Sequence, residues 1–239
     1  MSTSMLLFLL ATVGAAAQTG ASGNWTGLGS WTALKFAVEG AGSGAPISIM
    51  VPGADGLFDC DYDSQMEVKA GANVTILGNG VVLDAADSGR LFNVAAGASL
   101  TLHQLTLQRG RVSRTSSPSY NGAAVYNAGE FRAFGCTFAD NKAADYGGGV
   151  YNLDSGTCTM SSITWSETEP NLPDRIYNHG TGNVTLVGCN GIPGPPMAPN
   201  SGALPALPIC VSCNTLTATC SAEPDSVLLP GECAKSCQS

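Results

Sequence analysis

The residues with the clearest chemical potential in this chain are few and scattered. Asp59-Cys60-Asp61-Tyr62-Asp63 is the densest acidic stretch, with carboxylates at alternate positions. Oxygen ligands at that spacing could share a Ca²⁺. An EF-hand loop beginning at Asp59 would also need Gly at position 64 and Glu at position 70, and the chain has Ser64 and Ala70. Asp59, Asp61 and Asp63 therefore read as a solvated acidic loop, with metal binding as the alternative. His103 and His179 stand apart, so no metal set or nucleophilic triad is visible in the sequence. No Gly-x-Ser-x-Gly elbow and no phosphate-binding glycine loop occurs. No cofactor is expected.

The cysteines divide into two groups. Cys210, Cys213, Cys220, Cys233 and Cys237 crowd the C-terminal segment. Such crowding in an exported chain argues for disulfides, and Cys189 makes a sixth candidate, with connectivity open. Cys210-Val-Ser-Cys213 also has zinc-ligand spacing, but a second C-x-x-C pair is missing. Cys136 and Cys158 fall at apolar positions of a repeat and are expected as buried thiols acting as small apolar residues. Cys60 is left open. Asn24-Trp-Thr26, Asn73-Val-Thr75 and Asn183-Val-Thr185 are N-glycosylation sequons, making Asn24, Asn73 and Asn183 candidate acceptors in a eukaryotic secretory route.

The elements that position these residues come from an internal repeat. Gly71-Ala-Asn-Val-Thr-Ile-Leu, Gly97-Ala-Ser-Leu-Thr-Leu-His, Gly129-Glu-Phe-Arg-Ala-Phe, Gly156-Thr-Cys-Thr-Met-Ser and Gly182-Asn-Val-Thr-Leu-Val follow one another at spacings of 26, 32, 27 and 26 residues. A period of this size means a stacked architecture. Val74, Leu100, Phe131, Cys158 and Val184 form one apolar column, and Ile76, Leu102, Ala133, Met160 and Leu186 a second. Polar columns flank them: Asn73, Ser99, Glu130, Thr157 and Asn183, then Thr75, Thr101, Arg132, Thr159 and Thr185. This alternation is the period of a half-buried strand.

A second strand is expected at 81–83, 105–107, 136–138 and 163–165. A third is expected at 91–93, 125–127, 150–152 and 176–178, with 66–68 as a weaker copy. Three short strands per unit cannot bury a face alone, but stacked coils can, each strand pairing with its copy in the next coil. The expected fold is all-β: a parallel β-helix of about five coils, right-handed by the crossover rule. Asn93, Asn127, Asn152 and Asn178 are expected to stack as one turn ladder, helped by asparagine's tolerance of left-handed backbone.

Residues 1–17 read as a secretory signal, with an apolar run at Leu6–Leu10 and Ala15-Ala16-Ala17 as a cleavage site. No later apolar stretch is long enough to span a bilayer. Residues 18–191 form the β-helix, and Ser30 to Glu39 is its one helix, covering the open N-terminal end with Trp31, Leu34 and Val38 inward. Residues 192–208 read as a Pro-rich linker and 209–239 as a disulfide-bonded tail. The net charge of −8 with only ten basic residues excludes an electrostatic footprint for nucleic acid.

Gly122-Ala-Ala-Val125 and Gly147-Gly-Gly-Val150, together with Phe138-Ala-Asp-Asn141, resemble the Gly-Gly-Ala-(Ile/Leu/Val) and Phe-x-x-Asn elements of the chlamydial polymorphic outer-membrane protein repeat. That family resembles the pectin-lyase-like right-handed β-helices. Trp165-Ser-Glu-Thr168 departs from Phe-x-x-Asn, and the family's outer-membrane barrel has no counterpart here. The resemblance implies surface display and adhesion, so the expected role is a secreted or surface-displayed protein binding an extracellular glycan or a cell-surface protein. The same fold also carries polysaccharide lyases and glycoside hydrolases, whose sites resemble a carboxylate-lined groove with an Arg or Lys base. On that analogy Arg132, which interrupts the Thr column, and Glu130 beside it are the catalytic candidates. Without further carboxylates nearby, the pair reads as a solvated cross-strand contact worth a few tenths of a kcal/mol, and fold alone does not imply catalysis.

Overall fold

The computed structural model describes residues 17–19, 24–26, 28–43, 46–51, 57–60, 65–114, 120–166, 168–187 and 209–211. They build a parallel β-solenoid of about five turns with one short helix near its N-terminal end. Three stacks of strands form its faces. The long face runs through Ile47–Met50, Asn73–Leu77, Ser99–His103, Glu130–Phe134, Thr157–Ser161 and Asn183–Val187, each parallel to the next. The second face stacks Leu57–Asp59, Val82–Asp84, Thr106–Gln108, Thr137–Ala139 and Thr164–Trp165. The third stacks Met66–Val68, Phe92–Val94, Val125–Asn127, Val150–Asn152 and Ile176–Asn178.

The repeat columns are the core. Val74, Leu100, Phe131 and Cys158 are fully buried, as are Ile76, Leu102 and Ala133 one pleat further on. The second face contributes Leu83, Leu107 and Phe138, and Trp165 stacks on Phe138 at 4.9 Å between ring centres. Each fully buried aliphatic or aromatic side chain contributes about 1.5–3 kcal/mol relative to exposure, so the interior stack is the main stabilising device. Among the described residues the solenoid also begins earlier than the five repeats suggest. Asn24–Thr26 and Ile47–Met50 extend the long face below Asn73, and Ala17–Thr19 pairs antiparallel with Asn24–Thr26.

The helix α1, Trp31–Glu39, starts where the sequence places it. Ser30 is extended and its hydroxyl accepts a hydrogen bond from the Ala33 N–H at 3.2 Å, which satisfies one orphan donor of the first turn. Trp31, Ala33, Leu34, Ala37 and Val38 are buried. The helix lies against Met66–Val68, where the Glu39 carboxylate accepts from the Glu67 N–H at 3.3 Å and Lys69 Nζ donates to the Glu39 carbonyl at 2.6 Å. It covers the first strand of the third face, as a cap must.

Two expectations are corrected by register. The strands of the second face begin one residue later than the apolar pattern suggests. On the third face Asn93 pairs with Tyr126, while Asn127 pairs with Val94. Asn93 therefore leaves the asparagine column and donates outward to Glu67 Oε2 at 2.8 Å. The ladder has three members: Asn127 Nδ2 donates to Asn152 Oδ1 at 2.7 Å, and Asn152 Nδ2 to Asn178 Oδ1 at 2.8 Å. Its members are extended strand residues and none has a positive φ. What it requires is space. A Cβ on Gly156 would lie 2.5 Å from Asn152 Oδ1, and one on Gly182 would lie 2.6 Å from Asn152 Nδ2. The repeat glycines and the asparagines are thus one device, closed by Asn152 Nδ2 to the Gly156 carbonyl at 3.0 Å and Asn178 Nδ2 to the Gly182 carbonyl at 2.5 Å.

A second, shorter ladder lies after the second face. Asn141 Nδ2 donates to Asn171 Oδ1 at 2.6 Å, and both residues are buried. Asn171 donates in turn to the Phe138 carbonyl at 3.0 Å. The Phe-x-x-Asn element that breaks at Trp165–Thr168 is completed by Asn171, three residues later than its counterpart.

Candidate functional site

The outward side of the long face carries three parallel columns in strict register. The first is Asn73, Ser99, Glu130, Thr157 and Asn183; the second is Thr75, Thr101, Arg132, Thr159 and Thr185; the third is Leu77, His103, Phe134, Ser161 and Val187. Alternation makes this arrangement: the residues between these columns are the core residues, so every other side chain must face solvent. Copies in neighbouring coils lie about 4.8 Å apart. The third column escapes a sequence reading focused on polar residues. It holds His103 stacked on Phe134 at 4.9 Å, half-buried, beside an exposed Met50 one strand below Leu77.

The Arg132–Glu130 pair sits at the centre of this face. Arg132 Nη2 lies 2.5 Å from Glu130 Oε1, and Ser99 Oγ donates to Glu130 Oε2 at 3.1 Å. Arg132 is flanked across the strands by Thr101 and Thr159. Glu130 is the one acid on the three columns, and it is engaged by Arg132 and Ser99. Beside the first column an open groove of about 590 Å³ runs across the coils, lined by Asn73, Gly97, Ser99, Gly129, Glu130 and Thr157 among others. The repeat glycines form its wall, which leaves the polar side chains accessible.

Other sequence candidates lie elsewhere or outside the described residues. Asp59 is in the first strand of the second face, in register with Asp84; its side chain, Asp61 and Asp63 lie outside the described residues. Cys210 lies in Ile209–Val211, in register with Leu186; its side chain and Cys189, Cys213, Cys220, Cys233 and Cys237 lie outside them too, as do residues 1–16 of the expected signal at 1–17 and the linker. Cys136 and Cys158 are buried free thiols, as expected, and Cys60 is buried with Ser88 Oγ 3.5 Å from its sulfur. Burial pushes the Cys158 thiol up to about 12 and raises Cys136 as well. Both are inert as nucleophiles at neutral pH. Asn73 and Asn183 are exposed. The side chain of Asn24 is outside the described residues. Among the described residues no group of three or more His, Cys, Asp or Glu could hold a metal ion.

The charged and aromatic clusters off the long face are closed upon themselves. Asp84 is buried and accepts from Arg109 Nε at 2.7 Å, from Gln108 Nε2 at 2.6 Å and from the Ala86 N–H at 2.8 Å. Burial pushes its carboxyl up, but these donors and the Arg109 charge outweigh it and hold the group below the usual carboxylate range. On the third face Tyr126, Tyr151 and Tyr177 stack at 5.3 and 5.5 Å. Arg90 covers Tyr126 at 5.1 Å, and Tyr146 stacks on Tyr177 at 4.4 Å. Tyr151 and Tyr177 are each only 5% exposed. With Tyr151 and Tyr177 buried and Arg90 over Tyr126, this ladder acts as scaffold. Arg90 is lowered to about 10 by burial, stays charged at neutral pH, and donates to the Gly122 and Asn121 carbonyls.

No family model, curated protein or solved structure matches the chain. Among the described residues, no helix is long and apolar enough to cross a membrane.

Proposed function

We propose that the protein is a secreted or surface-displayed binding protein that takes an extended polymer, a glycan strand in the first instance, along the axis of its long face. The observation that carries this reading is the register of the three outward columns. Amide, hydroxyl and carboxylate groups in the first column, threonine hydroxyls interrupted by Arg132 in the second, and the mixed set Leu77, His103, Phe134, Ser161 and Val187 in the third lie side by side over five consecutive strands. A polymer with one sugar unit per coil would meet repeated donors and acceptors beside a strip in which Leu77, Phe134 and Val187 are apolar. Specificity in such a site comes from a few placed polar groups beside apolar contact. The signal-like N-terminus and the adhesin-like repeat elements point the same way.

A carbohydrate-cleaving enzyme on this fold would need carboxylates converging on Arg132. The columns supply only Glu130, already tied to Arg132 and Ser99, so binding is preferred to catalysis. The test is retention of the purified full chain on a panel of immobilised polysaccharides and whole-cell surfaces, with product release measured in parallel. Binding is expected without release of sugar product. Thr101→Val with Thr159→Val should weaken it several-fold. Arg132→Ala should change affinity while leaving stability within about 0.5 kcal/mol, as for an exposed pair. Retention on no glycan and no cell surface would sink the proposal, and cleavage that is lost in Arg132→Ala would replace it with the enzyme reading.

A further inference from the structure

Asparagine is used in two opposite ways on this solenoid. Asn127, Asn141, Asn152, Asn171 and Asn178 are buried, with side chains bonded inside the fold. Asn73 and Asn183 are exposed strand residues, and their side-chain amides make no hydrogen bond among the described residues. Both are followed two positions later by threonine, Thr75 and Thr185. In a strand, residues i and i+2 project from the same face, so each acceptor amide and its sequon hydroxyl point outward together. Glycosylation is bulky, polar and confined to surfaces, and both sites meet that condition.

Register adds what the motif alone does not contain. Asn73 and Asn183 belong to one column, with Ser99, Glu130 and Thr157 between them. Four strand steps of about 4.8 Å separate the two amides by about 19 Å. Asn73 also lines the groove beside that column. The third sequon is placed on the same sheet, with Asn24 in register with Ser48 and Ser48 with Thr75.

We propose that Asn73 and Asn183 carry N-linked glycans, and that these two glycans frame the long face so that only the coils of Ser99, Glu130 and Thr157 remain open to ligand. The first half concerns modification and stands by itself. The second half rests on the binding role proposed above. The framing sets a length limit: a short oligosaccharide fits between the two glycans, and a long polymer lying along the column must displace them.

The full chain, leader included, is expressed through a eukaryotic secretory route, and intact mass is read before and after enzymatic removal of N-glycans. Asn73→Gln and Asn183→Gln should each lose the mass of one glycan. Thr75→Ala should lose the same mass as Asn73→Gln although it leaves the acceptor in place. If either Gln variant keeps the parent mass apart from the substitution, the modification half is overturned. Enzymatic removal of glycans from the folded parent then tests framing without any substitution. Long chains of the glycan retained in the panel should bind the stripped protein at least several-fold more tightly, while three-unit fragments bind both forms alike. Equal affinity of both forms for long chains overturns framing. If neither form retains any glycan, the binding role and the framing fall together, and the mass measurement still decides the modification.

Discussion

The asparagine ladder gives the sharpest test of the solenoid's construction. Asn152 is its middle member and is fully buried. Its side chain accepts from Asn127 Nδ2 at 2.7 Å and donates to Asn178 Oδ1 at 2.8 Å and to the Gly156 carbonyl at 3.0 Å. Asn152→Ala deletes these three and a longer contact to the Asn183 carbonyl at 3.4 Å. At about 1 kcal/mol net for each intramolecular hydrogen bond, the loss comes to about 3 kcal/mol. The void opened beside Gly156 adds to it. Asn93 is the built-in control. It occupies the position where the sequence suggests a fourth ladder member, yet it is half-buried and its one bond goes outward to Glu67. Asn93→Ala should therefore cost under about 1 kcal/mol. Equilibrium denaturant unfolding of both variants, followed by circular dichroism and by the fluorescence of the tryptophans, reads the difference. Asn152→Leu, which fills the space without the bonds, separates the polar part from the packing part. Equal losses in Asn152→Ala and Asn93→Ala would refute the ladder as a stabilising element and with it the pairing of repeat Asn with repeat Gly.

Three further outcomes are expected. Gly148→Ala should prevent folding or cost more than about 3 kcal/mol by thermal melt, because its Cβ would sit 2.2 Å from the Leu172 carbonyl oxygen and 2.5 Å from that of Asn141, both backbone atoms; a melt within a degree of the parent would contradict it. Asp84 has a folded-state pKa below its unfolded one, so it adds stability above the usual carboxylate range that is lost as pH falls through the folded value. Asp84→Asn should accordingly be less stable at neutral pH and show a shallower acid-induced loss than the parent, measured as denaturation midpoints between about pH 6 and pH 2. Cys136 and Cys158 should resist thiol reagents in the native protein and react only on unfolding, since burial raises both thiols; modification of either by peptide mapping under native conditions would count against the described core.

Much of the scaffold was legible because its physics is local and periodic. The alternation through Val74, Leu100, Phe131, Cys158 and Val184 assigns inside and outside without any structure, and Ser30 marks the helix start by a hydrogen bond only three residues long in sequence. What eluded the sequence depends on register between coils. Asn93 looks like Asn127 in a three-residue window, and only the pairing of Asn93 with Tyr126 moves it to the outer face. Asn171 was hidden because its coil spends three more residues than its counterpart before reaching the same place. The third outward column is hidden in the sequence for another reason: Leu77, Phe134 and Val187 are apolar, and apolar residues next to a core pattern look like core.

The long face stands out by what the fold leaves undone there. At the corner after the second face, Asp84 is paired with Arg109, Asp87 with Arg111, and Asp140 with Lys142, and Asp145 is paired with Arg114 nearby. Each of these charged groups has a partner within the protein, and the tyrosines of the third face stack on one another, although Thr106, Thr137 and Thr164 form a shorter threonine column on the second face. On the long face the hydroxyls of Thr75, Thr101, Thr159 and Thr185 make no side-chain hydrogen bond among the described residues, and the amides of Asn73 and Asn183 are equally unengaged. Exposed threonine is ordinary on a strand, so one such residue carries no message. A five-strand column of them, broken only at Arg132 and held in register between an amide–hydroxyl column and a mixed one of Leu77, His103, Phe134, Ser161 and Val187, is a different case. It leaves a row of unspent donors and acceptors at the repeat distance of the fold, interrupted only where Arg132 and Glu130 add charge. On the binding role proposed above, a partner matched to that row would itself be extended and repetitive, which is why that proposal names a chain of sugar units, short enough to lie between Asn73 and Asn183 where both carry glycans, rather than a compact small molecule.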